Sequence, residues 1–288
     1  MSHVWSRQVG AVPMRLASAW RAPVALMERL YRDFPAPEHG FASATARLEP
    51  AGPLRRWLRP SVAIAGDFTI PDAAPLPLAQ GLLAAEMALN LQLALGWSQH
   101  LLLHAAAVER DGDAILLVGA SGSGKSTLAA LLGERGWRLM GDEFALLRLD
   151  GSALADPHPR LVSLKNESIA AMRAEVTDPA RWGPELTGTP KGTVRHLVPN
   201  ADAIARQREP ARPALILFPR FGEGPGLHPV GRADAFVRLT EGSTNYLALG
   251  DAAFLTLTAL VTSAPAVELH YRDGDSAVAA VAQLWGAR

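Results

Sequence analysis

Residues 119–126, which read GASGSGKS, carry the strongest chemical signal in the chain. They fit the pattern G-x-x-x-x-G-K-[ST], in which glycines let successive backbone N–H groups surround an anion at the start of a helix. The pattern predicts that Lys125 reaches the β- and γ-phosphates of a nucleotide and that the Ser126 hydroxyl binds magnesium. We call residues 119–126 the phosphate loop. The predicted nucleotide-binding set, which also includes the next residue, is Gly119, Ala120, Ser121, Gly122, Ser123, Gly124, Lys125, Ser126 and Thr127.

Two adjacent carboxylates, Asp142 and Glu143, stand in the sequence MGDEF, one predicted helix further along the chain. In proteins with a phosphate loop, an acidic residue at the end of a strand holds magnesium or its water shell. Neighbouring side chains of an extended strand point to opposite sides, so one carboxylate can face the metal and the other an acceptor hydroxyl. The alternative is that both are solvated charges in a turn. The predicted metal ligands are Ser126, Asp142 and Glu143.

The segments around these residues predict a mixed α/β fold. LLLHAAAVER and AILLVG, joined by an Asp-Gly turn, predict a β-hairpin whose second, continuously apolar strand leads into the phosphate loop. A helix over residues 126–136 follows, and this context favours a nucleotide site over a glycine- and serine-rich turn that fits the pattern by chance. We expect the strands to form one central sheet with embedded hairpins. The further predicted elements are a strand over 137–143, a hairpin over 144–156, strands over 160–164, 214–221 and 267–271, and helices over 232–242, 249–263 and 275–286.

Composition excludes several classes of protein. Lys plus Arg and Asp plus Glu are both 28 in 288 residues, and a zero formal net charge argues against binding nucleic acid by phosphate neutralisation. The absence of cysteine excludes disulfides and thiolate zinc sites and is typical of a reducing compartment, so we expect a cytoplasmic protein. With 49% hydrophobic residues, a large core is expected.

The N-terminal third carries no motif that predicts its role. We expect two regions, a smaller α+β region over residues 1–98, with one helix interrupted at Pro23, and a domain over residues 99–288 that carries the phosphate loop. The apolar segment 77–97 contains polar residues and no Lys or Arg, so it predicts a buried helix; a helix lying in a membrane interface is the less favoured alternative. The N-terminus does not resemble a signal peptide, and no membrane association is expected.

The hairpin with His104, the phosphate loop and the segment RGWRLMGDE together resemble the catalytic domain of bacterial HPr kinase/phosphorylase. PHPRLVSLKNESI, TGTPKGTVRHLVP, LILFPRF and STNYLALG are similar to a divergent branch, HPr-related kinase A. The resemblance implies the fold shared with phosphoenolpyruvate carboxykinase, a phosphate loop in a mixed sheet. Glu143 stands where the family has a second Asp, and Trp137 stands where it has His. No counterpart of the family's phosphorylase signature is present.

By this resemblance Asp142 is the base that takes the acceptor proton, Glu143 lies near the magnesium, and His104 sits against the catalytic carboxylate. On its residue type alone, His104 is equally well explained as a core histidine. Lys191 and Arg220 are the candidate cations around the γ-phosphate, although each could also be a solvated loop charge. Segments shared with the branch also contain Lys165, Asn166 and His196.

The resemblance implies a kinase that uses ATP (or GTP) and Mg²⁺ to phosphorylate a hydroxyl, with serine favoured, of a protein or peptide. One acceptor that the branch suggests is the precursor peptide of a modified-peptide gene cluster. Two alternatives stay open: a kinase for a small metabolite such as free serine, and a nucleotide-gated binding module. A homo-oligomer is expected because HPr kinases are hexamers.

Overall fold

The computed structural model describes residues 2–38, 40, 42–222 and 224–287 of the chain. The N-terminal region forms a five-stranded sheet covered by two helices. Its elements are β1 (His3–Val9), β2 (Val12–Ser18), α1 (Arg21–Leu30), β3 (Ala44–Pro50), β4 (Ser61–Gly66), β5 (Leu76–Pro77) and α2 (Gly81–Gly96). The sheet has the order β1-β2-β3-β4-β5, in which only the β2–β3 pairing is parallel.

The expected interruption of the first helix at Pro23 is wrong. Helix α1 begins at Arg21, so Pro23 lies in its first turn. The backbone N–H groups of a first turn have no acceptor within the helix, so proline costs nothing there. The helix then buries Val24, Met27 and Leu30, which recur at helical spacing on the face that packs against the sheet.

The rest of the chain builds three further sheets and seven helices among the described residues. Its elements are β6 (His100–Leu103), β7 (Ala105–Arg110), β8 (Asp113–Val118), α3 (Lys125–Glu134), β9 (Arg138–Gly141), β10 (Ala145–Arg148), β11 (Ala155–Asp156), β12 (Val162–Lys165), α4 (Glu167–Glu175), β13 (Trp182–Thr189), β14 (Gly192–Leu197), α5 (Ala201–Ala205), β15 (Arg212–Phe221), β16 (Gly226–Val230), α6 (Arg232–Glu241), α7 (Tyr246–Leu249), α8 (Asp251–Ser263), β17 (Ala266–Tyr271) and α9 (Gly274–Gly286). The predicted mixed α/β class is confirmed, as are both hairpins with Asp-Gly turns.

The expectation of one central sheet is wrong. The largest sheet of this part has six strands in the order β16-β17-β15-β8-β7-β9, with β8, β15 and β17 parallel to one another. Two three-stranded sheets lie beside it, β11-β10-β6 and β12-β14-β13. The sheet with β6 is separate because the chain changes partners between β6 and β7: β6 pairs with β10, whereas β7 pairs with β8 and β9.

The six-stranded sheet is covered on both faces. Alternate residues of β7, β8 and β15 enter one core with helices α3, α4 and α9, and the intervening residues enter another with α6 and α8. A third core joins the N-terminal sheet to residues of the later part, among them Leu102, Phe144 and Leu161. Among the described residues, one helical segment, residues 78–96, is long and apolar enough to cross a membrane, and it is mostly buried, as core helices are.

A buried ion pair joins the two parts of the chain. The Arg160 guanidinium bonds the Glu86 carboxylate, and both side chains are almost fully buried. The Tyr31 hydroxyl donates to the other oxygen of Glu86 at 3.0 Å. We expect Glu86→Ala to lower the free energy of unfolding by about 3–5 kcal/mol, because removing one member of a buried pair leaves the other charge unpaired. Urea denaturation followed by circular dichroism measures this loss.

An exposed ion pair provides the matched control. Arg47 contacts Glu49 at 2.9 Å, and about half of each side chain is exposed. Arg47→Ala should cost less than about 1 kcal/mol, because solvent screens such a pair. The double variant Glu86→Leu/Arg160→Met should recover much of the loss, because it removes both charges. If Glu86→Ala costs no more than Arg47→Ala, the two parts of the chain are not joined by this pair.

Candidate active site

The phosphate loop connects β8 to α3 at the edge of the sheet where the parallel strands end. Gly124 is the residue before the helix and has a φ of 93°, a conformation that favours glycine. A Cβ added to Gly124 would lie 2.0 Å from the hydroxyl oxygen of Tyr271, so no larger residue fits. Ala120, Ser121 and Gly122 are exposed, which leaves the loop open to solvent. This strand–loop–helix unit has the form that the sequence pattern predicts.

Lys125 is held by the phosphate loop itself. Its side chain is buried, and its ammonium group donates hydrogen bonds to the carbonyl oxygens of Gly119 at 2.5 Å and Ala120 at 2.9 Å. Burial lowers the pKa of Lys125, whereas the charges of Asp142 and Glu143 act to raise it. The ammonium group therefore lies within electrostatic reach of both carboxylates that the sequence singled out.

Asp142 is buried directly after β9. Its Oδ2 atom accepts a hydrogen bond from the Ser163 amide at 3.1 Å, whereas its buried Oδ1 has no partner among the described residues. Burial, and then the negative charge of Glu143, raise the pKa of Asp142 to about 6. Hydrogen bonding by the Ser126 hydroxyl to this carboxylate acts in the opposite direction and lowers the pKa of Asp142, so Ser126 lies beside it. A buried carboxylate oxygen without a partner calls for a cation or a donor.

These groups fit magnesium. A cation beside Asp142 would oppose both causes of its raised pKa, and carboxylate and hydroxyl oxygens are ligands that Mg²⁺ accepts. Within the part of the chain that the structure describes, no group of three His, Cys, Asp or Glu residues could hold a metal ion. Magnesium in phosphate-loop proteins needs no such group, because substrate phosphates and water complete its shell. Asp142 and Ser126 are therefore the best-placed ligands.

Glu143 has different surroundings from its neighbour. About a third of its side chain is exposed, and its Oε1 lies 3.9 Å from Nδ1 of His104. Burial is the main cause that lowers the pKa of His104, and nearby lysine charges add to the effect, while Glu143 acts in the opposite direction. The two adjacent carboxylates are thus separated: Asp142 lies inside, and Glu143 lies at the solvent-facing side of the site.

The structure changes two expectations about His104. The residue does not lie within a strand of the hairpin but between β6 and β7, where its backbone N–H donates to the carbonyl of Gly242 at 2.7 Å. Its imidazole contacts Glu143, whereas the sequence led us to expect Asp142 as its partner. His104 lies outside the strands because the chain changes strand partners here, from β10 for β6 to β8 for β7.

All three lysines of the chain lie around this site. The charges of Lys125, Lys165 and Lys191 each contribute to lowering the pKa of His104. Lys165 ends β12 and also lowers the pKa of Asp142, although sequence reasoning did not include it among the site residues. A signal was present in the sequence: lysine occurs only at these three positions, and all other basic side chains of the chain are Arg or His.

The turn that carries Lys191 is fixed to the start of α4. Asn166 precedes that helix, and its Oδ1 accepts a hydrogen bond from the amide of Thr193 at 3.1 Å. Thr189 closes the same turn by donating from its hydroxyl to the carbonyl of Gly192 at 2.7 Å. Lys191 itself is exposed, so its ammonium group is available at the rim of the site.

Arg220 lies on the opposite face of the six-stranded sheet. Its guanidinium is 3.6 Å from Glu268, which also bonds Arg238 of α6 at 2.6 Å. Alternation along β15 directs the next side chain, Phe221, towards the phosphate loop instead. The structure therefore brings Lys191 towards the candidate site, whereas the Arg220 side chain lies against Glu268; its role as a cation at the γ-phosphate stays a prediction.

Other residues singled out by sequence have structural partners. The Thr127 hydroxyl donates to the Ser168 hydroxyl at 2.8 Å, which ties α3 to α4. Trp137 is buried and contacts Trp285 with ring centroids 4.7 Å apart. His196 is buried on β14, where burial lowers its pKa and the charges of Glu86 and Arg160 act on it. His196 therefore belongs to the interior and not to the candidate site.

The fold and the site define a mixed α/β protein with a phosphate-loop-like unit beside two carboxylates. Residues 83–179, which include the loop and both carboxylates but make up less than half of the chain, match the family model "ScmC: SynChlorMet cassette protein ScmC". No protein of curated function matches the chain. Among solved structures it is similar to the HPr(Ser) kinase/phosphatase from Coxiella burnetii, with 10% identity and a TM-score of 0.30 over 65% of this chain and 95% of that chain.

Proposed function

We propose that the chain is a magnesium-dependent phosphotransferase that moves the γ-phosphoryl group of ATP or GTP to a hydroxyl of a protein or peptide, with serine the favoured acceptor. The observation that carries the proposal is the placement of two adjacent carboxylates in different surroundings beside Lys125. Asp142 is buried with a free oxygen next to Ser126, and Glu143 is partly exposed next to His104. A phosphotransferase needs these two environments, one for metal and one for the acceptor.

The nucleotide half of the site consists of the phosphate loop, Lys125, Ser126 and Asp142. On nucleotide binding, the Lys125 ammonium would exchange its bonds to the loop carbonyls for bonds to phosphate oxygens. Magnesium, when bound by Ser126 and Asp142, would neutralise charge that develops on the phosphates. Lys165 and Lys191 would add positive charge around the transferring group, which is the main electrostatic contribution that a protein makes to this reaction.

The acceptor half consists of Glu143 and His104. The acceptor O–H would lose its proton to the Glu143 carboxylate while its oxygen forms the new P–O bond, and the bond from the γ-phosphorus to the β-bridging oxygen would break to release the nucleoside diphosphate. The lowered pKa of His104 keeps its imidazole neutral near pH 7, so it does not cancel the charge of Glu143. This assignment reverses the sequence-based expectation, in which Asp142 was the base and Glu143 lay near the metal.

Incubation with nucleotide labelled in the γ-phosphate tests the function. The matching family model is that of a cassette protein, so the acceptors to test are polypeptides encoded beside the gene, each with its serines intact or replaced by alanine. We expect label on the serine-containing polypeptide only, in the presence of magnesium. Label on free serine instead would favour a metabolite kinase. If the chain binds nucleotide but transfers label to no acceptor and releases no labelled phosphate, it is not a phosphotransferase.

A further inference from the structure

An aromatic pair lies beside the phosphate loop. Strand β15 pairs with β8 as far as Leu217 and Leu117, and beyond that point it stays paired only with β17, up to Phe221. Phe221 pairs in register with Tyr271, the last residue of β17. Their rings meet edge to face with centroids 5.6 Å apart.

Both side chains point to the start of α3. A Cβ at Gly124 would lie 3.4 Å from Cβ of Phe221 and 2.0 Å from the Tyr271 hydroxyl oxygen. Tyr271 is 4% exposed, whereas Phe221 is 53% exposed. Tyr271 therefore forms a fixed support, and the Phe221 ring presents an apolar surface to solvent next to the place where phosphates are expected.

We propose that Phe221 stacks on the purine base of the bound nucleotide; this inference rests on the proposed function. The start of a helix attracts the phosphates, and Phe221 lies on the rim directly beside the start of α3, so we place the nucleoside across that rim. A flat aromatic ring binds any base through its π-face and does not read hydrogen-bonding groups. The site should consequently bind ATP and GTP with similar affinity.

Titration calorimetry with magnesium and three ligands separates base binding from phosphate binding: ATP, GTP and inorganic tripolyphosphate. We expect Phe221→Ala to weaken ATP and GTP binding by about 5- to 150-fold, the range for loss of one base–aromatic stack, and to leave tripolyphosphate binding unchanged. Phe221→Trp should retain nucleotide affinity because its ring also stacks. The matched control is Phe254→Ala, which removes a ring that is 50% exposed on α8.

The outcomes distinguish this inference from the proposed function. Equal loss of ATP and tripolyphosphate affinity in Phe221→Ala would show that the ring supports only the loop, and unchanged ATP affinity would show that it does not contact the base. If Phe221→Ala slows transfer to a polypeptide while ATP binds normally, the ring contacts the acceptor, and the inference is wrong. If Lys125→Ala leaves both ATP and tripolyphosphate binding unchanged, the phosphate loop does not bind phosphate, and the proposed function is wrong whatever the result for Phe221.

Discussion

Replacing Lys125 with alanine is expected to lower phosphoryl transfer by at least about two to three powers of ten, as for the loss of a preorganised charge at a reacting centre. Nucleotide affinity should fall as well, because the ammonium group is the cation that the phosphate loop itself supplies. Single-turnover transfer and calorimetric titration with ATP measure the two effects separately.

The buried position of Lys125 requires a second variant. Its side chain is only 5% exposed, so alanine leaves a gap as well as removing a charge. Lys125→Met retains most of the stem and should lose transfer to the same extent, while its urea midpoint stays close to that of the unaltered chain. Normal turnover in either variant would mean that residues 119–126 do not bind the transferred phosphate, and the proposed function would have to be abandoned.

The two carboxylates should lose different properties when their charges are removed. Glu143→Gln is expected to slow single-turnover transfer by about two to four powers of ten, the range for general-base assistance, with nucleotide affinity almost unchanged. Asp142→Asn should instead weaken magnesium-dependent nucleotide binding, and high magnesium should recover part of the loss. The reason is that the free oxygen of Asp142 lies inside, next to Ser126, whereas Glu143 is open to an acceptor.

A magnesium series with both variants decides the assignment. Loss of nucleotide affinity in Glu143→Gln together with loss of rate alone in Asp142→Asn would restore the assignment that the sequence suggested, with Asp142 as the base. If neither variant slows transfer by even about tenfold, well below the general-base range, both carboxylates lie outside the reaction. His104→Asn serves as the control for the contact at 3.9 Å, and its effect should follow that of Glu143 and not that of Asp142.

Several elements of the fold could be predicted because their signals are local. The Asp111-Gly112 turn has positive φ at both residues, 56° and 84°, as a tight hairpin turn requires. The continuous apolar run of β8 indicated a strand buried on both faces, and it is buried from Ala114 to Val118. The division of the chain at residue 98 stays a prediction, because the N-terminal sheet shares a core with later residues such as Leu102.

Sequence reasoning was less successful where a side chain's partner comes from a distant strand. Arg220 lies near the end of the apolar strand β15, which ends beside the phosphate loop, so its position along the strand could be predicted. Which face it occupies depends on the pairing of β15 with β17, and that register directs it to Glu268. Lys165 was not included in the site because β12 belongs to a separate sheet whose position no local pattern encodes.

The sequence by itself determined the phosphate loop, the strand before it, the helix after it and the presence of two acidic residues one helix later, because backbone conformation and turn preference depend on neighbouring residues. Only the tertiary structure decided that Asp142 is buried beside Ser126, that Glu143 faces His104, and that Phe221 projects beside Gly124. Each of these contacts joins segments whose spacing along the chain leaves their distance in space undetermined. Burial and partner charge, which separate the two carboxylates, are properties of the packed molecule and not of the residue types.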